Sequence, residues 1–314
     1  MSAATHAPTT TAAPRSDGRA TRRRRNLGDL PAALVFVLPA TIGFVVFLLW
    51  PTLRGIWLSF TDTTAFQAGG FIGLENYQRL ADDPVFWNAF GVTLWYVVLN
   101  IGIQTTLAVL VAVLMHRLTR SMVIRGIILT PYLVSNVVAA MLFLMLLDYQ
   151  LGFVNEVIAA LGWDRVMFFG DQSLVIPTIA LVNVWRHVGY TALLVFAGLQ
   201  TIPGNLYEAG RVDGASELRM FRSITMPLLR PYLGLVLIVT MIGSFQVFDT
   251  VSVATQGGPA NASNVIQYYI YEVAFSRGYD FGYASAMSVA LMVVLATISI
   301  VQFRLTRANQ NDMA

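Results

Sequence analysis

Six long runs of uncharged residues, one of them interrupted by a lone arginine, constrain this chain more than any other feature of it. They are Ala32–Trp50, Ala89–Met115, Gly126–Leu147, Leu174–Leu199, Pro231–Phe248 and Phe281–Phe303. A bilayer's hydrocarbon core takes about 20 helical residues to cross, and these runs are of that order. Lipid offers no partner to a backbone N–H or C=O, so a run of this kind crosses as a helix that satisfies its own amides. Composition points the same way: 56% of the residues are hydrophobic and 12% are charged, where soluble chains carry roughly 25% charged residues. The expected fold is therefore an all-α polytopic membrane protein with six transmembrane helices. Pro39, Pro131 and Pro177 lie in or at the ends of spans, where neighbouring helices can satisfy the carbonyls they free.

The segments between the runs set domain limits and orientation. Residues 1–26 are rich in Thr, Ala and Pro and end in Arg22 to Arg25; too few apolar residues are present to fold, so a disordered basic tail is expected. The following apolar run is too long for a signal-peptide core and has no small-residue cleavage site after it. The arginine run reads as an anchor on the cytoplasmic side, with no nucleic-acid partner. Residues 27–305 form the six-span domain, with a polar loop at 201–230, and residues 306–314 form a short second tail. Fifteen arginines fall in the two tails and in the loops after spans two and four, against four (Arg54, Arg79, Arg165, Arg277) in the opposite loops. By the positive-inside rule both termini and the 201–230 loop face the cytoplasm, in a multi-pass protein of a cell's inner membrane. On the outer side, Phe71–Trp87 mixes aromatics with turn formers as an interfacial segment would, Leu151–Leu161 and Gln267–Phe275 read as short helices, and Gly257-Gly258-Pro259 with Asn261 reads as a turn.

Several chemistries are excluded. There is no cysteine, and His6, His116 and His187 are too far apart for metal-ligand spacing. No phosphate-binding Gly-x-x-x-x-Gly-Lys-Ser/Thr, no Gly-x-Ser-x-Gly and no His-Glu-x-x-His occurs. No catalytic residue, metal site or cofactor is therefore assigned to this chain.

The polar loop holds Glu208-Ala209-Gly210-Arg211-Val212-Asp213-Gly214-Ala215-Ser216, followed by Phe221, Ile224, Met226 and Pro227. Two short helices are expected. Asn205 is placed to cap the first, with Glu208 three residues on, and Asp213-Gly214 to end it. Ser216 is placed to cap the second, with Pro227 and Pro231 closing it. A charged helix pair between two spans suits the docking of a soluble partner. This stretch resembles the "EAA" loop of binding-protein-dependent ABC importers, the element a permease presents to its ATPase. It departs from the family pattern at Gly210, usually Ala, and Met226, usually Leu. The resemblance assigns ATPase coupling to Glu208, Ala209, Asp213, Gly214, Ala215 and Pro227. The Gly73-Leu74-Glu75-Asn76-Tyr77 segment, the Gly-Gly-Pro turn and the Gly282-Tyr-Ala-Ser-Ala start of span six resemble the maltose-type branch of sugar importers. The likeness runs from about residue 31 to 305 and implies a type I ABC importer transmembrane domain.

Span four carries the one charge inside a run. Asn183, Arg186, His187 and Tyr190 fall at i, i+3, i+4 and i+7, hence on one helix face. A face like this reads as the lining of a solute passage, with the aromatic as a stacking platform, or as an interhelical clamp with the arginine reaching out of the apolar zone. The maltose-type resemblance implies solute contacts at Asn183 and Tyr190 and, in span three, at Tyr132 and Asn136; Arg186 and His187 occupy positions that vary in the family. Ser244 and Gln246 in span five match the region where the family lines its passage, and are otherwise interhelical hydrogen bonds. Asp249 is expected at the water boundary.

The function implied by the resemblance is a permease subunit that forms half of the path for a disaccharide, oligosaccharide or related polyol-type solute. Its implied partners are a second permease, two ATP-binding subunits holding ATP and Mg, and an extracellular solute-binding protein. A permease for a glycerophosphodiester or glycerol phosphate is the nearest alternative. A stand-alone secondary transporter fits less well, because few acids lie within the spans.

Overall fold

The structure, a computed structural model, describes residues 30–118 and 121–311. The basic tail expected at residues 1–26 lies outside the described residues. Among the described residues the elements are helices, and the chain divides after Thr52 into two compact units.

The first unit holds helix α1 (Leu30–Phe44), with Pro39 inside it, and a wide π turn at Val45–Leu49. The chain continues into α2 (Trp50–Leu58). Together Val35–Leu58 is long and apolar enough to cross a membrane.

In the second unit, α3 (Glu75–Asp82) precedes the long α4 (Pro84–Leu118). Asp83 starts α4: its Oδ1 accepts from the Val85 and Phe86 N–H groups at 2.8 and 3.3 Å, an N-cap directly before a proline that needs no partner. Oδ2 of the same carboxylate accepts from the Tyr269 and Tyr283 hydroxyls at 2.7 and 2.6 Å. One side chain thus ties the start of α4 to α13 (Ile266–Tyr271) and to α14 (Phe281–Asn311). Arg79 adds a bond to Asp280 at 2.7 Å and lies 3.9 Å from the Tyr283 ring centroid. α14 runs beyond the expected end of the membrane domain at 305.

Span three is not one straight helix. It is α5 (Met122–Leu133) and α6 (Asn136–Leu146), bent by 88° at Val134 and Ser135, where ψ swings to 135° and 145°. Among the described residues, five helices are therefore long and apolar enough to cross a membrane, or six if the bent pair counts as one span. A short α7 (Phe153–Ala160) follows, then α8 (Val175–Leu199), close to the run expected for span four.

α8 packs along α4 more than any other pair of helices. Ala108 and Ala112 on α4 and Ala192 on α8 are fully buried there, small enough to bring the two backbones together where lipid supplies no hydrophobic drive. At the far end of α8, Tyr96, Ile179, Phe245, Tyr283 and Met287 form a core shared by α4, α8, α14 and α11 (Met226–Phe245).

Between α8 and α11 comes the polar hairpin: α9 (Gly204–Val212) and α10 (Glu217–Met220). Two expectations about it are corrected. Asn205 does not cap α9; the helix begins at once after the extended Pro203, which puts Asn205 inside the first turn with no capping bond. Pro227 and Pro231 do not close the second helix. A π turn at Phe221–Thr225 carries α10 straight into α11. The Met226 N–H reaches back five residues to the Phe221 carbonyl, and this widened turn eases the ring of Pro227 past the preceding carbonyls. Span five then breaks at Gln246–Phe248 before a short α12 (Asp249–Ala254).

Candidate functional site

Two places gather the polar side chains singled out in the sequence. The first is a cavity of about 340 Å³ between α4, α5, α8 and α11, bounded by the breaks in spans three and five.

Its construction starts at Pro131, which has no N–H to continue the ladder of α5. The helix ends at Leu133, and the break leaves backbone carbonyls that lipid cannot satisfy. Arg186, in the middle of α8, satisfies them. Its Nε donates to the Val134 carbonyl at 2.6 Å and Nη2 to the Tyr132 carbonyl at 3.3 Å. Gly189 permits the approach: a Cβ there would lie 2.0 Å from the Ile128 carbonyl oxygen of α5. The interhelical-clamp alternative for Arg186 thus describes its contacts, with the clamp made inside this chain. Arg186 is not among the residues that line the cavity.

His187 follows from Arg186. Its Nε2 lies 2.8 Å from Arg186 Nη1. A guanidinium only donates, so Nε2 accepts and Nδ1 carries the proton, which it gives to the Asn183 carbonyl at 3.0 Å. The ring lines the cavity in its neutral form. Tyr132 and Tyr190 stack face to face, centroids 4.6 Å apart and planes at 11°. The Asn183 amide donates to the Tyr96 hydroxyl.

Asn136 and Asp249 join the two breaks. Asn136 opens α6, Asp249 opens α12, and Nδ2 of the first donates to Oδ2 of the second at 2.7 Å. Asp249, which opens α12 after the break at Gln246–Phe248, sits on the cavity wall. Ser244 and Gln246 line the same wall. Tyr132, Asn136, Asn183, His187, Tyr190, Ser244 and Gln246 are therefore brought together.

The sequence reading missed the wall contributed by span two. Asn100 and Gln104, buried and four residues apart on α4, also line the cavity. Asn100 Nδ2 donates to Ser244 Oγ at 2.8 Å and to Gln104 Oε1 at 3.2 Å, and Gln104 Nε2 donates to Thr191 Oγ1 at 2.7 Å. The signal was available: two amides at i and i+4 in an otherwise apolar run place two polar groups on one face.

The second place is the hairpin. α9 ends in a glycine cap: Gly214 has φ +72°, its N–H meets the Arg211 carbonyl at 3.1 Å, and the Ala215 N–H meets the Gly210 carbonyl at 2.9 Å. Ser216 caps α10 as expected, accepting from the Arg219 N–H at 3.4 Å. Glu208 lies on an open cleft with His116, Arg117, Tyr207, Arg211 and Glu217. Arg117 at the end of α4 pairs with Glu217 at 2.9 Å, and Tyr207 shares a 2.8 Å hydrogen bond with Thr225 Oγ1. Ala209, Asp213 and Gly214 are exposed, Ala215 and Pro227 half-buried. Val212 at the tip is 87% exposed and Leu218 59%. Apolar side chains so placed on a charged loop form a surface suited to a partner.

A bundle of membrane-crossing helices with broken spans around a polar cavity, carrying a capped polar hairpin between two spans, defines a transport subunit. The profile of the family described as "binding-protein-dependent transport system inner membrane component" matches residues 104–313, and the chain belongs to that family, the permease subunits of ABC importers. It is 33% identical over 289 residues to the sulfoquinovosyl glycerol transport system permease protein of Agrobacterium fabrum, covering 90% of this chain and 92% of that one. It is 32% identical over 275 residues to the trehalose/maltose transport system permease protein of Thermococcus litoralis, covering 87% and 92%. Its fold matches a chain of the crystal structure of a bacterial ABC transporter involved in the import of the acidic polysaccharide alginate, with a TM-score of 0.80, 24% identity, and coverage of 90% of this chain and 96% of that one.

Proposed function

We propose that this chain forms half of the translocation path for a disaccharide, oligosaccharide or related polyol-type solute. The observation that carries the reading is the cavity wall, where amides and hydroxyls from four membrane-crossing segments converge beside two stacked tyrosines. A sugar offers many hydroxyls, each a donor and an acceptor, and flat C–H faces that suit an aromatic ring. A few placed polar groups in a cavity of a few hundred Å³ are what a small polar ligand needs. The two relatives named above carry sugar-containing solutes in their names, which supports the same class.

The energy comes from ATP held by two partner ATPase subunits; this chain binds no nucleotide and catalyses no reaction. The hairpin seats on the ATPases through Glu208, Ala209, Asp213, Gly214, Ala215 and Pro227, with both termini on that same cytoplasmic side. A second, unlike permease completes the path and an extracellular solute-binding protein delivers the solute. Closure of the ATPase pair moves the hairpin, and the spans alternate between inward- and outward-open states.

The test is uptake of labelled disaccharides and polyols by cells carrying the whole importer. Asn183→Leu strands the buried Tyr96 hydroxyl and removes a polar group from the wall. Such a loss is worth about 1–3 kcal/mol, so the maximal uptake rate should fall roughly tenfold or more while the amount of assembled complex holds. Apparent affinity should change little, since the binding protein sets it. If no saccharide or polyol is taken up by the wild-type importer, the solute class is wrong.

A further inference from the structure

Asp249 puts a carboxylate on the cavity surface, while the Arg186 guanidinium lies behind it against His187 and Tyr132. Among the described residues that line the cavity, Asp249 is the only charged side chain. Its Oδ2 accepts from Asn136 at 2.7 Å, and the ion pairs of the described residues include none to Asp249. Arg186, next in sequence to the lining residue His187, does not itself line the cavity and is engaged by the Val134 and Tyr132 carbonyls and by His187. His187 is neutral, with its proton given to the Asn183 carbonyl.

Asn100 lines the same cavity, with a second acceptor closed off beneath its surface. Asn100 is 2% exposed, and its Oδ1 is buried without a partner. The orientation of that amide follows from its neighbours. Ser244 Oγ gives its own proton to the Thr240 carbonyl at 2.7 Å, and Gln104 turns its Nε2 to Thr191 and its Oε1 to Asn100, so both accept from Asn100 Nδ2. The amide nitrogen of Asn100 therefore faces them, and the oxygen is left over. A buried oxygen without a donor is rare and calls for an explanation. A donor arriving with the solute supplies one.

We propose that this wall selects the solute by charge. Asn100 Oδ1 and the Asp249 carboxylate accept protons from hydroxyl or ammonium groups, and the same carboxylate repels oxyanions. The solute is then a neutral or cationic polyhydroxylated molecule, and phosphate esters, sulfonates and uronates are refused. The inference rests on the reading of the cavity as a sugar path. It adds Asn100, from a span with no assigned contact, and Asp249 as specificity determinants.

The experiment measures binding to the assembled importer complex, nucleotide-free and trapped with ATP and vanadate, by saturation-transfer NMR. The probes share a pyranose ring and differ in charge: methyl glucoside, glucosamine and glucuronate. The wild type should bind the neutral and cationic probes at least about tenfold more tightly than glucuronate, since an uncompensated like charge acts against the wrong ligand. Asp249→Asn keeps the shape and a bond to Asn136, and should bring glucuronate to within about threefold of methyl glucoside. Asn100→Leu should weaken methyl glucoside and glucuronate alike, leaving their ratio unchanged. Equal binding of glucuronate by the wild type, or an unchanged ratio in Asp249→Asn, overturns the charge rule alone. Failure of all three probes to bind the wild type in either state overturns the sugar-path reading, and this inference with it.

Discussion

Arg186 shows how much a single side chain settles in a membrane interior. A charge inside a span costs several kcal/mol unless the protein receives it, and here it is received by backbone carbonyls that a helix break would otherwise leave bare. The arginine and the break explain each other. Replacing Arg186 with Leu strands the Tyr132 and Val134 carbonyls at about 1–3 kcal/mol each. The assembled complex should lose several degrees of thermal stability, read by loss of monodisperse complex after heating. Arg186→Lys should recover part of that loss, because an ammonium on a flexible stem lacks the planar fork that reaches both oxygens. An Arg186→Leu complex of unchanged stability with an altered solute range would make Arg186 a solute contact instead. The sequence exposed this residue as an anomaly and offered both readings. What it could not show is that the partner is backbone, since a break at Val134–Ser135 has no residue signature of its own beyond Pro131 three positions earlier.

At the scale of elements, the spans were legible because uncharged runs of bilayer length admit one solution, and the run at 174–199 lies within a residue of α8. The breaks were not. Pro227 and Pro231 look like stops in a soluble helix, yet a π turn eases Pro227 into α11 and Pro231 lies inside that helix, and the first depends on how α10 and α11 join. The cap of α9 was read at Gly214 correctly and at Asn205 incorrectly, because a positive φ has few residue solutions while several residues compete to start a helix. Asp83 is the element-scale counterpart of Arg186, one carboxylate that starts α4 and holds α13 and α14. Burial pushes its carboxyl up, but hydrogen bonds from Tyr283, Tyr269 and the Phe86 and Val85 N–H groups outweigh burial and hold it below the usual carboxylate range. A depressed folded value means that the contribution to stability is present above the unfolded carboxylate pKa of about 4 and is lost as pH falls through the folded value. Asp83→Ala should cost about 0.5–2 kcal/mol for the cap alone at neutral pH. The gap between wild type and variant should narrow as pH drops below about 4. Thermal unfolding of the complex at pH 7, 5 and 3.5 checks the sign. A gap that widens on acidification would mean that the carboxylate is not what the tyrosines hold.

At the scale of the whole molecule, the cavity and the hairpin are linked through α8 and α11. α8 carries Asn183, His187 and Tyr190 and leads to α9; α10 passes through its π turn into α11, which carries Ser244. A push on the hairpin is thus delivered to one wall of the cavity directly through α11 and to another across the short turn at 200–203 that precedes α9. Gly214 is where this linkage is most open to test, since its φ of +72° holds the turn between α9 and α10. A Cβ there meets nothing within 4 Å in this chain, so the penalty of a larger residue is of two kinds that can be separated. The left-handed conformation costs an ordinary residue roughly 1–2 kcal/mol but is tolerated by Asn. Bulk at the exposed tip acts only on whatever docks there. Gly214→Asn should therefore keep the turn and most of the uptake, while Gly214→Leu should leave the complex assembled but hydrolysing ATP without a matching rate of uptake. ATPase activity and solute uptake measured on the same proteoliposomes give the ratio. Normal coupling in a stably assembled Gly214→Leu complex would remove the hairpin tip from the docking surface, and equal defects in both variants would assign the effect to the turn itself.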